Sequence, residues 1–202
     1  MIVIDKDSEI EGLQRKAFYL EVISSFAAKL LSANSIDEIV WLVAKHAVGK
    51  LGYFDCIVYL LDEKKSLLYQ RAAHGPKNPE PFDIENPIVI KMGKGIVGSV
   101  AETGVGEIVG DTSLDARYIV DDESRASEIT IPILSKNEVI GIIDSEHPDK
   151  NFYSQDDFKV LTTIASMTSA KLDQVKIQEE LQAHKLLLED TVEAKTQQLQ
   201  MT

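Results

Sequence analysis

The first sustained hydrophobic rhythm runs from about Ser8 to Ala33. Leu13, Ala17, Leu20, Ser24, Ala27 and Leu31 recur at three- and four-residue steps, and Ile23, Phe26 and Leu30 widen the stripe. This predicts an amphipathic helix with a broad apolar face. Asn34-Ser35 interrupts it. Ser35 stands three residues before Glu38, a capping-box spacing that predicts a second helix from Ile36 to about Lys50, closed by Gly52. The rhythm then changes. Phe54 to Leu61 is a short apolar run rich in β-branched and aromatic residues, the pattern of a strand covered on both faces. Asp62 to Lys65 form a turn, and Ser66 to Ala73 return as the second arm of a hairpin.

Gly75 to Pro87 holds four of the six prolines and predicts a long loop of the kind that serves as a lid. Beyond it come a short strand from Pro87 to Lys91, a turn or two of helix from Gly95 to Glu102, and an extended piece from Glu107 to Val109. The polar stretch from Asp111 to Arg125 contains a predicted helical turn. Ser127 to Leu134 and Glu138 to Glu146 form a second hairpin turning at Lys136-Asn137. Pro132 lacks a backbone donor and predicts an edge position or a bulge. Ser154, with Asp156 and Asp157, caps a final helix with no Gly or Pro through Gln200. Phe158, Leu161, Ile164, Ala165, Thr168 and Leu172 suit packing on a domain. Ile177, Leu181, Leu188, Val192 and Leu199 are sparse and near-heptad, which predicts a coiled coil with a second chain.

Hairpin-linked strands with helices at the two sequence ends predict an α+β domain: a central antiparallel sheet of about six strands, the terminal helices on one face and the lid loop and short helix on the other. We divide the chain into an N-terminal amphipathic helix (1–34), a sheet domain (35–173) and a helical, coiled-coil linker (174–202).

Composition narrows the function classes. A formal net charge of −12 repels polyanions, so no nucleic-acid partner and no direct membrane contact are expected. Cys56 is the sole cysteine, which fits a reducing, cytoplasmic location. The N-terminus lacks the plan of a signal peptide, and no apolar run reaches the roughly 20 residues of a membrane span.

Three stretches, DCIVYLLDEKKSLLYQRAAHG, MGKGIVGSVAETGVGEIVGD and ITIPILSKNEVIGIIDSEHPDKNFYSQDDFKVLTTIASMTSAKL, together resemble the GAF family of small-molecule-sensing domains over about Ser35 to Asp173. The tail LEDTVEAKTQQLQ is similar to the helical linkers that join such sensors to histidine-kinase or other output domains. The resemblance implies a ligand cavity between the sheet and the lid, and dimerisation through the terminal helices.

Several constellations bear on chemistry. Gly93 to Gly98 matches the dinucleotide pattern GxGxxG, but that fingerprint needs a parallel βαβ unit. In the GAF-like arrangement these glycines form the cavity rim, and the helix start offers free N–H groups. Cys56 lies in an apolar strand, where a thiol is ordinarily inert core. The methionine-sulfoxide-reducing relatives of the fold use several cysteines. His46, His74, His147 and His184 are dispersed, so no metal site is expected, and haem ligation by His74 or His147 has no second signal. No cofactor is identifiable. The dispersed Asn-Lys-Phe-Asp-Glu signature of cyclic-nucleotide-binding members cannot be placed.

The candidate ligand site comes from strand alternation. Ile129, Ile131 and Ile133 share one face, and Glu128 and Thr130 the other, while Asp144 and Glu146 alternate with Ile143 and Ser145. A half-buried polar lining is costly unless satisfied. Arg117 and Tyr118, in the segment after Asp111, are the natural partners from the lid, and Asp111 is counted with them among the candidate ligand-binding residues. The alternative is a solvated acidic face with a surface ion pair.

Three function classes follow: a non-catalytic sensory module that binds a small molecule and signals through homodimerised helices; a dimerisation spacer without a ligand; and a thiol-based reductase, for which only Cys56 is available. The expectation is the first, with no enzymatic activity in the isolated module.

Overall fold

The computed structural model describes residues 6–76, 84, 86–120 and 123–200. The middle of the proline-rich loop, residues 121–122 and the side chains of His46 and Leu199 lie outside the described set.

Helix α1 (Lys6–Leu30) leads into α2 (Ile36–Leu42). Ser35 caps α2 by accepting the Glu38 N–H at 3.2 Å, while the Glu38 carboxylate takes the Asn34 N–H at 2.6 Å. The regular helix expected as far as Lys50 stops at Leu42. A wider π turn over Val43–Val48 follows, then the short α3 (Gly49–Leu51).

The sheet has six strands: β1 (Cys56–Leu61), β2 (Leu67–His74), β3 (Val89–Lys91), β4 (Glu107–Val109), β5 (Ser127–Ser135) and β6 (Glu138–His147). Their spatial order is β3-β2-β1-β6-β5-β4, and every neighbouring pair is antiparallel. The β5–β6 turn places Lys136 and Asn137 at positive φ (51° and 67°), as a tight hairpin turn requires. Pro132 lies past the end of β4, which pairs only with Glu128–Thr130, and one residue before an irregularity at Ile133/Leu134. Its missing donor is therefore tolerated where the neighbouring strand has stopped.

Alternation assigns each strand two faces. Cys56, Val58, Ile129, Ile131, Ile133 and Ile143 pack against Phe26, Ile39, Val40, Leu161 and Ile164 of the helical layer. Ile57, Tyr59, Leu68 and Ile142 point the other way, toward Val97, Val100 and Ala101 of α4 (Gly95–Thr103). The domain is thus helices, sheet, then α4 with the lid segments.

Helix α5 (Gln155–Gln200) is 46 residues long, or about 69 Å at ~1.5 Å per residue. Its start is anchored by Asp157. That carboxylate accepts the Ser154 N–H (2.8 Å), the Ser154 hydroxyl (2.5 Å), and the Tyr19 and Tyr53 hydroxyls (2.9 Å each). Asp157 so ties α1 and the start of the sheet domain to one helix end. Among the described residues the last buried one of α5 is Val175; Ile177, Leu181, Leu188 and Val192 beyond it are all more than half exposed.

The stripe expected to bury α1 is corrected. Phe26 and Leu30 are buried as expected, but Leu13 and Leu20 are 60% and 68% exposed, and Tyr19 and Val22 take their place on the buried face. Both stripes are apolar. The inward one is the stripe whose Tyr19 hydroxyl reaches Asp157, a pairing that helical period alone does not reveal.

Candidate functional site

The register of the second hairpin builds the site. Glu128 stands opposite Glu146, and Thr130 opposite Asp144, with Ile57 of β1 beside Asp144 and Glu107 of β4 beside Thr130. All four hairpin side chains face the lid layer. Glu128, Asp144 and Glu146 form the polar floor of a cavity of about 390 Å³, and the fully buried Thr130 hydrogen-bonds to the first two. Tyr59, Ile88, Ile90, Val97 and Ile119 make its apolar walls, and Lys91, Lys94 and Gly95 stand at its rim.

The rim is shaped by the glycine segment. Gly95 takes φ +69° at the start of α4. A Cβ on Gly98 would stand 2.6 Å from the Lys91 carbonyl oxygen, so α4 can dock against β3 only with glycine there. Lys94 stands at the N-cap of α4 without a side-chain hydrogen bond to the first N–H groups of the helix.

The floor is buried and crowded with acid. Glu128, Asp144 and Glu146 are 4%, 5% and 6% exposed. Thr130 Oγ lies 2.8 Å from Asp144 Oδ1 and 3.0 Å from Glu128 Oε1. Among the described residues no ion pair is made to Glu128 or Asp144. Burial, reinforced by the Glu146 carboxylate, pushes the Glu128 carboxyl up to about 8. Burial, then Glu128 and Glu146, holds Asp144 well above the usual carboxylate range. Among the described residues no three carboxylate, imidazole or thiolate groups converge as they would around a metal ion.

Of the seven residues expected at the site, Glu128, Thr130, Asp144 and Glu146 come together. Tyr118 lies close by: its hydroxyl accepts the Arg125 N–H at 2.8 Å, and burial and the facing Glu146 raise its phenol. Asp111 and Arg117 do not reach the cavity. Asp111 accepts from Ser113, capping the short turn Thr112–Leu114, and pairs with Lys150 at 2.7 Å. Arg117 makes a bidentate pair with Glu107 (2.8 and 2.9 Å) and a second pair with Asp115 (2.6 Å). Two partly exposed carboxylates within reach outcompete a buried floor that the guanidinium would have to be desolvated to meet. Residue patterning did not single out Tyr59, Lys94 or Ile119. The one available signal was the glycine segment, which marked the rim and thereby Lys94.

Cys56 is completely buried on the helical face of the sheet, opposite the cavity, and burial pushes its thiol well up. His147 stacks on Phe152 at 3.5 Å, and burial lowers its pKa. His74 abuts Gly49.

A curled antiparallel sheet with terminal helices on one face and a lidded cavity on the other defines an α+β ligand-pocket architecture. Residues 33–173 match the sequence profile of the GAF domain, and the chain belongs to that family. Over 85 residues it is 31% identical to Protein YtsP of Bacillus subtilis, covering 42% of this chain and 52% of that protein. Over 71 residues it is 34% identical to Protein ZMO0507 of Zymomonas mobilis, covering 35% and 44%. The chain thus spans about half the length of these relatives. The free methionine-R-sulfoxide reductase of Neisseria meningitidis, solved with its substrate, shares the fold with a TM-score of 0.72 and 20% identity, over 81% of this chain and 93% of that one. The GAF domain of an Acinetobacter phosphoenolpyruvate-protein phosphotransferase does so at 0.69 and 18%, over 78% and 94%.

These likenesses correct one expectation. The reductase from Neisseria and two others of its kind are enzymes built on this fold, so membership gives no ground for regarding the chain as free of catalysis. The physical reason is that a cavity able to enclose a sensed ligand encloses a substrate equally well. No helix among the described residues is long and apolar enough to cross a membrane.

Proposed function

We propose that the chain is a ligand-binding GAF domain whose cavity takes a small molecule bearing an ammonium group on an apolar body, and that occupancy is passed to the terminal helices. The observation that carries this reading is the cavity itself: three buried acidic side chains at one end, apolar walls, and no ion pair to Glu128 or Asp144 among the described residues. An ammonium would satisfy the floor that Arg117 leaves uncovered. A free amino acid is a representative ligand. The substrate named for the Neisseria reductase, free methionine-R-sulfoxide, carries such a group and supports the choice of class.

Calorimetry with L-methionine, its R-sulfoxide and the corresponding compounds lacking the amine tests this. The amine-bearing compounds should bind and their amine-free counterparts should not. Asp144→Asn should weaken binding by about 10- to 100-fold, the worth of one charged hydrogen bond (roughly 1.5–3 kcal/mol). Equal binding of the amine-free compounds would refute the reading.

Transmission is supported by the alternation of β5, where Glu128 and Thr130 face the cavity and their neighbours Ile129 and Ile131 pack on the helical layer. The exposed apolar residues of α1 and of α5 beyond Val175 suit a parallel homodimer. Sedimentation should give a dimer at micromolar concentration, and a monomer there would remove the helical part of the proposal.

A further inference from the structure

One buried hydroxyl beside the cavity floor is asked to do two things. Thr130 Oγ is within hydrogen-bonding distance of both Asp144 Oδ1 and Glu128 Oε1, at 2.8 and 3.0 Å. A hydroxyl carries a single hydrogen. With both carboxyls ionised, one of these contacts would set oxygen lone pairs against each other in a buried site. Both contacts become hydrogen bonds when one carboxyl carries a proton and donates it to Thr130.

The surroundings act in the same direction. From before β1, Asp55 adds negative charge near Asp144, while the charge of Glu107 on β4, near Glu128, is offset by its pair with Arg117. Glu146 stands directly across from Glu128, a placement that is unfavourable for two like charges. Tyr59 of β1 and Tyr118 of the lid present phenols. Among the described residues, the cations lining the cavity are Lys91 and Lys94, exposed at the rim where water screens them.

We propose that the site balances its charge with protons when no ligand is bound, and that ligand capture is a cation-for-proton exchange. An ammonium group docks at Glu128 and Asp144, one carboxyl O–H bond breaks, and the proton passes to solvent. No electron moves, and the products are an ammonium–carboxylate pair and one hydronium. This rests on the ammonium-binding reading above. Its consequence is regulatory: apparent affinity rises about tenfold per pH unit across the range in which the free site holds the exchanged proton, and acidification discharges the ligand.

The test uses the full chain with ¹³C-labelled Asp and Glu carboxyls, assigned through E128Q and D144N, and n-butylammonium as the probe. In the free protein at least one of the Glu128 and Asp144 carbons should report a protonated carboxyl at pH 6. On saturation it should shift to the ionised position, and calorimetry in phosphate and Tris should give buffer-dependent heats equal to about one proton released. Carboxyls both ionised in the free protein would overturn the exchange and leave binding intact. So would butylammonium binding with no dependence on pH or buffer. Protonated carboxyls that ignore butylammonium and the amino acids alike would overturn the binding reading, and the exchange with it.

Discussion

Replacing Glu128 by Gln keeps the size and acceptor oxygen of the side chain and removes its ability to ionise. The consequence for stability has a definite sign. In the fold the Glu128 carboxyl titrates near 8, against an ordinary value of 4.5, because burial and the Glu146 carboxylate disfavour its charge. A raised folded value means that the protonated group's contribution is fully present below about 4.5 and is lost as pH rises through about 8. At about 1.4 kcal/mol per pH unit between the two values, the loss has an upper bound of about 5 kcal/mol. Water reaching the cavity and a proton shared with Asp144 reduce it, and about 2–3 kcal/mol is the working figure. Urea unfolding of wild type and E128Q should therefore nearly coincide at pH 4.5. They should separate steadily, with E128Q the more stable by about 2–3 kcal/mol at pH 8.5 and little further change above. A difference that is independent of pH, or one that favours wild type at alkaline pH, would refute the account of the cavity floor.

Asp157→Ala strips four hydrogen bonds from the start of α5 and leaves the Tyr19 and Tyr53 hydroxyls without their acceptor; a loss of about 3 kcal/mol is expected in urea unfolding, with faster amide exchange in α1. Burial alone would raise the Asp157 pKa, but its hydrogen bonds outweigh that and lower it, so the wild-type advantage over D157A should be full above pH 4 and should shrink as pH falls through the depressed value. Arg117→Ala should cost no more than about 1 kcal/mol, since its pairs are partly exposed, and should leave ligand affinity unchanged in calorimetry because the guanidinium does not reach the cavity. Gly98→Ala drives a methyl to 2.6 Å from the Lys91 carbonyl and should destabilise by about 1–3 kcal/mol, read as a lowered thermal midpoint.

The polar floor was legible because it is a matter of period two. Ile129, Ile131 and Ile133 on one face oblige Glu128 and Thr130 onto the other, and the hairpin turn at Lys136-Asn137 fixes their register against Asp144 and Glu146. The cap at Ser35, the hairpins and the unbroken final helix are likewise local, and each was readable from a few adjacent residues. What the chain alone did not decide were choices among physically equivalent partners. Arg117 had two sets of carboxylates to choose from, and only the packing of β4 beside the lid segment brought Glu107 within reach, alongside Asp115 two residues away. Helix α1 had two apolar stripes, and only the position of Asp157 selected the one carrying Tyr19. Whether the floor's charge is met by arginine, protons or a ligand is also a question of distance across the fold, since periodicity states which side of an element a residue occupies and says nothing of what arrives opposite it.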